Sequence, residues 1–286
     1  MMKNIFRMMG LCAFIMLAAV SCKKNENGDT KTFRATLNPP TSDAKTYLGS
    51  DNYLYWNSGD AIKVFADDYT SAIFTTNDSD VKVADFSGNI AQSENYIALY
   101  PATNVSDVDE NGRVILTIPS TQQYVANGFA TDTYWMAART EDGTPSFNFR
   151  GLFGLLCLRL KGEATITSIE LEDEVFNLWG NLQTSLNSFD KGSGIDLMEG
   201  SDSRSGGKTI TLNFPPEGLT LDNIISTKVY FVLRPLACSQ GFTLRVHCDD
   251  GIVYTKTVPG NYHNAIKPDY ILRMPEINLD EFEVGF

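Results

Sequence analysis

Cys22 is the residue of this 286-residue chain whose surroundings most clearly specify a reaction. It follows Ala19-Val20-Ser21 at the end of an apolar run, Met8 to Val20, which is itself preceded by Lys3 and Arg7. A short cationic start, an apolar stretch too short to span a bilayer and a small-residue cut point describe an export signal over residues 1–21. Cys22 stands at that cut point. Elsewhere the chemistry is thin. Of the two histidines, His247 falls on the polar register of a strand beside Arg245, and His263 follows Gly260-Asn261-Tyr262 in a turn. No Gly-x-Ser-x-Gly elbow, Gly-Lys-Ser/Thr phosphate loop or His-Glu-x-x-His pair occurs, so no catalytic residue, metal or cofactor is expected. Acid–base work by paired carboxylates depends on spacing in space rather than in sequence. With 35 Asp and Glu residues, solvation is the ordinary role of any one of them.

Two patterns invite other readings. Asp107-Val108-Asp109-Glu110-Asn111-Gly112 matches the first half of an EF-hand loop, with oxygens at positions 1, 3 and 5 and a glycine at the turn. Position 12 is Ile118, where a bidentate Glu is required, so the expectation is an acidic hairpin loop between Tyr96–Pro101 and Arg113–Pro119. Trp56, Trp135 and Trp179 would suit a sugar-stacking platform. Trp56 and Trp135 each adjoin a tyrosine in a strand-like context that fits core packing, which leaves Trp179, between Leu178 and Gly180, as the surface candidate.

With the polar run Lys23 to Thr30 after it, Cys22 resembles the lipobox of bacterial lipoproteins, with Ala19 where that family prefers Leu. The resemblance implies a diacylated, palmitate-type anchor on Cys22. Lys3 and Arg7 leave with the leader, so the net charge of −12 becomes more negative in the mature chain. Such a chain repels nucleic-acid phosphates and anionic headgroups alike, so no nucleic acid partner is expected and membrane attachment rests on the lipid. Cys12 leaves with the signal and Cys22 carries lipid. Cys157, Cys238 and Cys248 remain, an odd set with at least one unpaired thiol. All three lie in apolar runs that suit small buried hydrophobes.

Beyond residue 30 the apolar residues recur with period two. Ile210, Leu212 and Phe214 alternate with polar neighbours, whereas Lys228 to Pro235 is a continuous apolar run, as expected of a strand covered on both faces. Phe242, Leu244, Val246 and Cys248 alternate up to Asp250-Gly251, a hairpin signal leading into Ile252-Val253-Tyr254. A turn at Ser239-Gln240 would set Cys248 opposite Phe231, which argues against a Cys238–Cys248 bridge. Ala61–Ala66, Ser71–Thr75, Tyr96–Pro101, Arg113–Pro119 and Leu155–Lys161 are further strands. This spacing describes all-β sandwiches. Gly143-Thr144-Pro145 marks a break. The expected organisation is a signal peptide (1–21), a lipidated linker (22–31) and two domains (32–149 and 150–286). Asp190–Lys208 reads as a long exposed loop.

Several short motifs then form a pattern. Tyr55-Trp56-Asn57-Ser58-Gly59-Asp60-Ala61-Ile62-Lys63-Val64-Phe65 and Tyr96-Ile97-Ala98-Leu99-Tyr100-Pro101 resemble the opening half of Bacteroidales fimbrillin-like proteins. Asp132-Thr133-Tyr134-Trp135-Met136-Ala137-Ala138 and Phe147-Asn148-Phe149-Arg150-Gly151-Leu152-Phe153-Gly154 are similar to their central signature, although many relatives carry a His-containing pair at 150–151. Ile166–Leu171 and Tyr230–Pro235 through Gly241-Phe242-Thr243 continue the resemblance. It implies two transthyretin-like antiparallel β-sandwich domains and lipoprotein export to the outer membrane. It also implies a role as pilus subunit, anchor or tip adhesin, with other fimbrial subunits and host or bacterial surface ligands as partners. In that family a trypsin-like protease cuts after a basic residue and removes the first strand, and a neighbour's terminal strand fills the groove.

This chain has parts that fit. Phe33, Ala35 and Leu37 alternate with Thr32, Arg34 and Thr36, so Arg34 projects outward as a processing candidate, and Lys45 is the next basic residue. Ile277, Leu279, Phe282, Val284 and Phe286 alternate about a one-residue slip at Asp280-Glu281, as a donor strand (277–286) with a bulge would. A last sheet strand with a frayed acidic tail reads equally well. Two alternatives stand beside a fimbrial role: a surface glycan-binding lipoprotein that does not polymerise, and a carboxylate-based glycosidase.

Overall fold

Period-two alternation builds strands here. In β1 (Asp29–Leu37) Phe33, Ala35 and Leu37 are buried while Thr32 and Arg34 face solvent, because the pleat sends successive side chains to opposite faces. The computed structural model describes residues 29–37, 54–130, 133–140, 144–186, 197–199, 206–261 and 265–285, and no α-helix occurs among them. β1 begins inside the segment read as a linker.

β1 lies between two strands. It runs antiparallel to β4 (Val83–Ile90), from Asp29 opposite Ile90 to Thr36 opposite Val83. It runs parallel to β9 (Ser146–Gly151), from Arg34 opposite Ser146 to Leu37 opposite Phe149. With β2 (Ala61–Ala66), β3 (Ser71–Thr75), β5 (Tyr96–Tyr100) and β8 (Met136–Arg139) they close into a seven-stranded barrel in the order β1-β4-β3-β2-β5-β8-β9. The Phe33 ring meets Phe74, Tyr96 and Phe147 at centroid distances of 5.3, 5.0 and 4.8 Å. Closure removes the free edges that an open sheet would carry.

A three-stranded sheet forms the wall between two cores. Its order is β17 (Thr227–Leu233), β10 (Gly154–Lys161), β22 (Ile271–Asn278). Leu155, Cys157, Tyr230, Val232 and Ile271 belong to the buried cluster that fills the barrel. Leu156, Leu158, Leu160, Val229, Phe231 and Leu233 join a second cluster. The run Lys228–Pro235 is apolar throughout because side chains on both faces have a core to enter.

The second cluster is covered by a seven-stranded sheet, which makes this half a sandwich. Its order is β23 (Glu283–Gly285), β20 (Val253–Pro259), β19 (Gly241–Cys248), β11 (Thr165–Asp173), β15 (Thr209–Asn213) and β7 (Thr121–Gln123), with β16 (Leu219–Thr220) also on β11. β12 (Trp179–Ser185) pairs with β6 (Arg113–Ile118), β13 (Leu197–Glu199) and β14 (Gly206–Gly207). β18 (Leu236–Ala237) pairs with β21 (Ala265–Ile266). β6 and β7 precede residue 149 yet pair with β12 and β15 beyond it, so backbone ladders cross that point of the chain twice.

Several pairings differ from those read along the sequence. β17 and β19 lie in different sheets, and Cys248 stands opposite Ile166 rather than Phe231. Cys157, Cys238 and Cys248 are buried free thiols. The β19–β20 hairpin forms, but through the three residues Asp249–Gly251, with Cys248 N–H on the Ile252 carbonyl at 3.0 Å and Gly251 at φ 85°. That is the longer loop in which a glycine takes the left-handed position. β5 pairs with β2 and β8, not with β6. β6 turns back on the preceding loop instead, with Thr117 N–H on the Asn104 carbonyl at 3.0 Å. Parts of the expected loop Asp190–Lys208 are the short strands β13 and β14.

Candidate functional site

The site is the slot that β1 fills. Arg34 exposes its side chain, but its N–H donates to the Pro145 carbonyl at 3.0 Å and it sits opposite both Asp85 and Ser146. The Trp56 indole donates to the Ala35 carbonyl at 3.1 Å from inside the barrel. Leu37 N–H reaches the Lys82 carbonyl at 3.0 Å, and the Thr32 and Ser87 hydroxyls meet at 3.0 Å. The slot walls carry buried Ala84 and Phe86 on β4 and buried Phe147 and Phe149 on β9. Without β1 these side chains and two rows of backbone groups would be left open, the condition that invites strand addition.

The C-terminal segment is built into the second core. Ile277, opposite Leu160 of β10, and Leu279 and Phe282 are 4, 2 and 6 % exposed. The irregularity at Asp280-Glu281 is a turn of 3₁₀ helix, Leu279–Glu281, capped by the Asn278 side chain on Asp280 N–H at 3.2 Å. It carries the chain from β22 in one sheet to β23 in the other, where Val284 stands opposite Tyr254 and is exposed. Lys256 ties the crossing down, with Nζ 2.7 Å from Glu281 Oε2 and 5.5 Å from the Phe282 ring centroid. Cys22, Lys45, His263 and Phe286 lie outside the described residues.

The other sequence candidates are engaged locally. Asp109 Oδ1 accepts from Asn111 N–H at 2.9 Å and Arg113 N–H at 2.8 Å, shaping a tight turn. Asp107 pairs with Lys63 at 2.7 Å, and that hydrogen bond holds its carboxyl below the usual range. His247 Nε2 is 3.5 Å from Glu170 Oε1, and Arg245 pairs with Glu172 at 2.7 Å. Trp56 and Trp135 are buried, while half-buried Trp179 lies over Gly207, where a Cβ would overlap its ring. The three indoles therefore share no exposed platform. Among the described residues, no group of three or more His, Cys, Asp and Glu is placed to hold a metal ion.

Two features had no sequence signal. The Trp56 bond to Ala35 joins residues with no local relation. Asp269 reaches across the chain to accept from Gly151 N–H at 2.7 Å and Tyr134 Oη at 3.2 Å.

No protein-family profile matches the chain, and no curated protein sequence matches it significantly. Solved structures do match. A "putative cell adhesion protein" from Bacteroides uniformis ATCC 8492 aligns at TM-score 0.51 and 14% identity, over 92% of this chain and 96% of its own. Another so described, from Bacteroides ovatus ATCC 8483, aligns at TM-score 0.50 and 13% identity, over 89% and 94%. At these identities the likeness concerns architecture, and it extends over both halves: the chain has the fold of these two Bacteroides proteins.

Proposed function

We propose that this chain is a cell-surface lipoprotein that builds, anchors or caps a fimbria through strand exchange at β1, and that it is not a catalyst. The observation that carries this reading is β1 itself. A strand at the start of the described chain supplies Phe33, Ala35 and Leu37 to the barrel core and is hydrogen-bonded along both edges. Its departure would open an apolar slot, and a strand from another subunit would fill it with main-chain hydrogen bonds and alternate side chains. The fimbrillin-like motifs and the fold shared with the two proteins described as adhesion proteins support the same reading. β1 supports the acceptor half of the exchange more directly than the C-terminus supports the donor half. Ile277, Leu279 and Phe282 would have to vacate their own core to donate. Attachment through lipid on Cys22, outer-membrane location and contact with other fimbrial subunits and with host or bacterial surface ligands complete the proposal.

The test treats the chain from Lys23 onward with a trypsin-like protease, then offers labelled peptides matching residues 29–37 and 277–286. The expected result is a cut chain that loses β1, stays folded and captures peptide, while uncut chain captures none. A cut chain that unfolds, or that stays folded and captures neither peptide, overturns strand exchange.

A further inference from the structure

The turns at one end of the barrel enclose a cavity that strand exchange leaves unused. It has a volume of about 160 Å³ and is lined by Phe65, Ile97 and Leu186 on its apolar side and by Asp67, Asn95 and Arg139 on its polar side, with Tyr69 beside them. The polar side is held in place. Asp67 Oδ2 accepts from Ser93 Oγ at 2.7 Å and from Asn95 N–H at 2.9 Å, and Asp67 N–H donates back to Ser93 Oγ at 3.0 Å. These bonds fasten the β2–β3 turn to the β4–β5 turn.

Tyr69 occupies this turn in an unusual way. Ala66 N–H meets the Thr70 carbonyl at 2.9 Å, closing a three-residue loop, Asp67-Asp68-Tyr69, whose last position is left-handed. Such loops favour glycine there, yet the position holds tyrosine at φ 66°. A bulky residue in that region is sterically unfavourable and persists only where its surroundings enforce it. Here the ring packs on the barrel core and borders the cavity.

We infer that this cavity binds one pyranose ring of a neutral glycan. At about 160 Å³ the cavity admits a compact group the size of a single six-membered sugar ring. A pyranose has a C–H face and a rim of hydroxyls, which match the apolar side and the carboxylate, amide and guanidinium side. Asp67 and Arg139 bring opposite charges to one lining, so the cavity offers no net charge to draw a charged ligand. A larger cleft of about 690 Å³, lined by Lys31, Gln92, Glu94 and Thr144, also has Asn95 in its lining, which places it beside the small cavity. No β1 residue lines the small cavity, so the single-ring site stands independently of strand exchange, whereas the larger cleft includes Lys31, Thr32 and Phe33 of β1.

Saturation-transfer NMR on the chain from Lys23 onward tests this, using the methyl glycosides of glucose, galactose, mannose and N-acetylglucosamine at about 10 mM, a concentration that fills a millimolar site. At least one glycoside should receive transfer. Tyr69→Gly, which suits the left-handed position, and Asn95→Ala, which keeps the backbone bond to Asp67, should each weaken binding about tenfold or more with the thermal midpoint little changed. Should Tyr69→Gly lower the midpoint, Asn95→Ala alone decides. Absence of transfer to all four glycosides overturns the inference, as does binding that survives the variants unchanged.

Discussion

The Trp56 indole N–H donates to the Ala35 carbonyl at 3.1 Å, so the barrel core reaches out and holds the backbone of its own first strand. The ring has little freedom to do otherwise. Phe86, Tyr100 and Phe149 contact it edge-on at 5.0, 5.3 and 5.4 Å, and it is 1 % exposed. Trp56→Phe removes the donor and leaves a void, and together these should cost about 2 kcal/mol. Hydrogen exchange should locate the loss: β1 amides should accelerate more than those of β19. Equal acceleration in both strands would mean that Trp56 supports the fold generally rather than β1.

Arg34 presents a basic side chain to solvent on a backbone bound along both edges. A protease must free that segment before cutting it, so cleavage follows the population of the opened state. In the native chain the Arg34–Ala35 bond should therefore be cut only slowly by a trypsin-like protease, and Arg34→Ala should leave the early fragments unchanged. Opening made about 2 kcal/mol easier by Trp56→Phe should speed cleavage at Arg34 about thirtyfold. Prompt cutting at Arg34 in the unmodified chain would show that β1 opens readily without help.

Gln122 does for β17 what a missing neighbour strand would do. Its Nε2 donates to the Val232 carbonyl at 2.7 Å and its Oε1 accepts Val232 N–H at 2.9 Å, all within a buried setting. β17 has β10 on one edge only, and this amide satisfies the other edge at one residue. Gln122→Ala strands a buried donor and acceptor and should cost about 2–4 kcal/mol in urea unfolding. Gln122→Glu should cost at least as much, because a carboxylate cannot donate to the Val232 carbonyl. A loss below about 0.5 kcal/mol for Gln122→Ala would mean that water replaces the amide and that the edge is not dry.

Strand positions were legible because alternation is written in single residues. Ala61–Ala66, Ser71–Thr75 and the run to Cys248 form where period two places them. The unbroken apolar run to Pro235 correctly announced a strand buried on both faces. Partners were not legible, since alternation says which face is buried and not which strand lies beside it. β17 and β19 are near in sequence yet join different sheets, and β6 and β7 reach forward past residue 149 to β12 and β15. Ile277, Leu279 and Phe282 are buried, and their alternation did not reveal the 3₁₀ turn that moves the chain between sheets. Of the β1 slot, the inward and outward residues could be read and the grip of Trp56 could not. Tyr69 in a left-handed position ran against local preference, so the cavity beside it left no mark in the pattern.

Asp269 links stability to pH at the junction between the end of β9 and the turn before β22. Its Oδ1 takes the Gly151 N–H and the Tyr134 hydroxyl, and any side chain at residue 151 would overlap both groups. Burial pushes the carboxyl up from its ordinary value to about 6, against the pull of these hydrogen bonds and of the Arg150 charge. An acid with a raised native pKa holds its proton more tightly when folded, so its contribution is greatest below the unfolded value near 4 and is lost as pH rises through about 6. Asp269→Asn suits the left-handed backbone at this position (φ 55°) and keeps an acceptor for Gly151 without the charge. Between pH 4 and about 6.5 the unmodified chain should lose stability relative to this variant by of the order of 2 kcal/mol. Other carboxyls, such as Asp222, held low by the Ile225 and Ile224 N–H groups, act in the opposite sense in both proteins and cancel in the difference. A stability difference that stays flat from pH 4 to 6.5 would mean that Asp269 ionises without cost and that the junction is wetter than its packing implies.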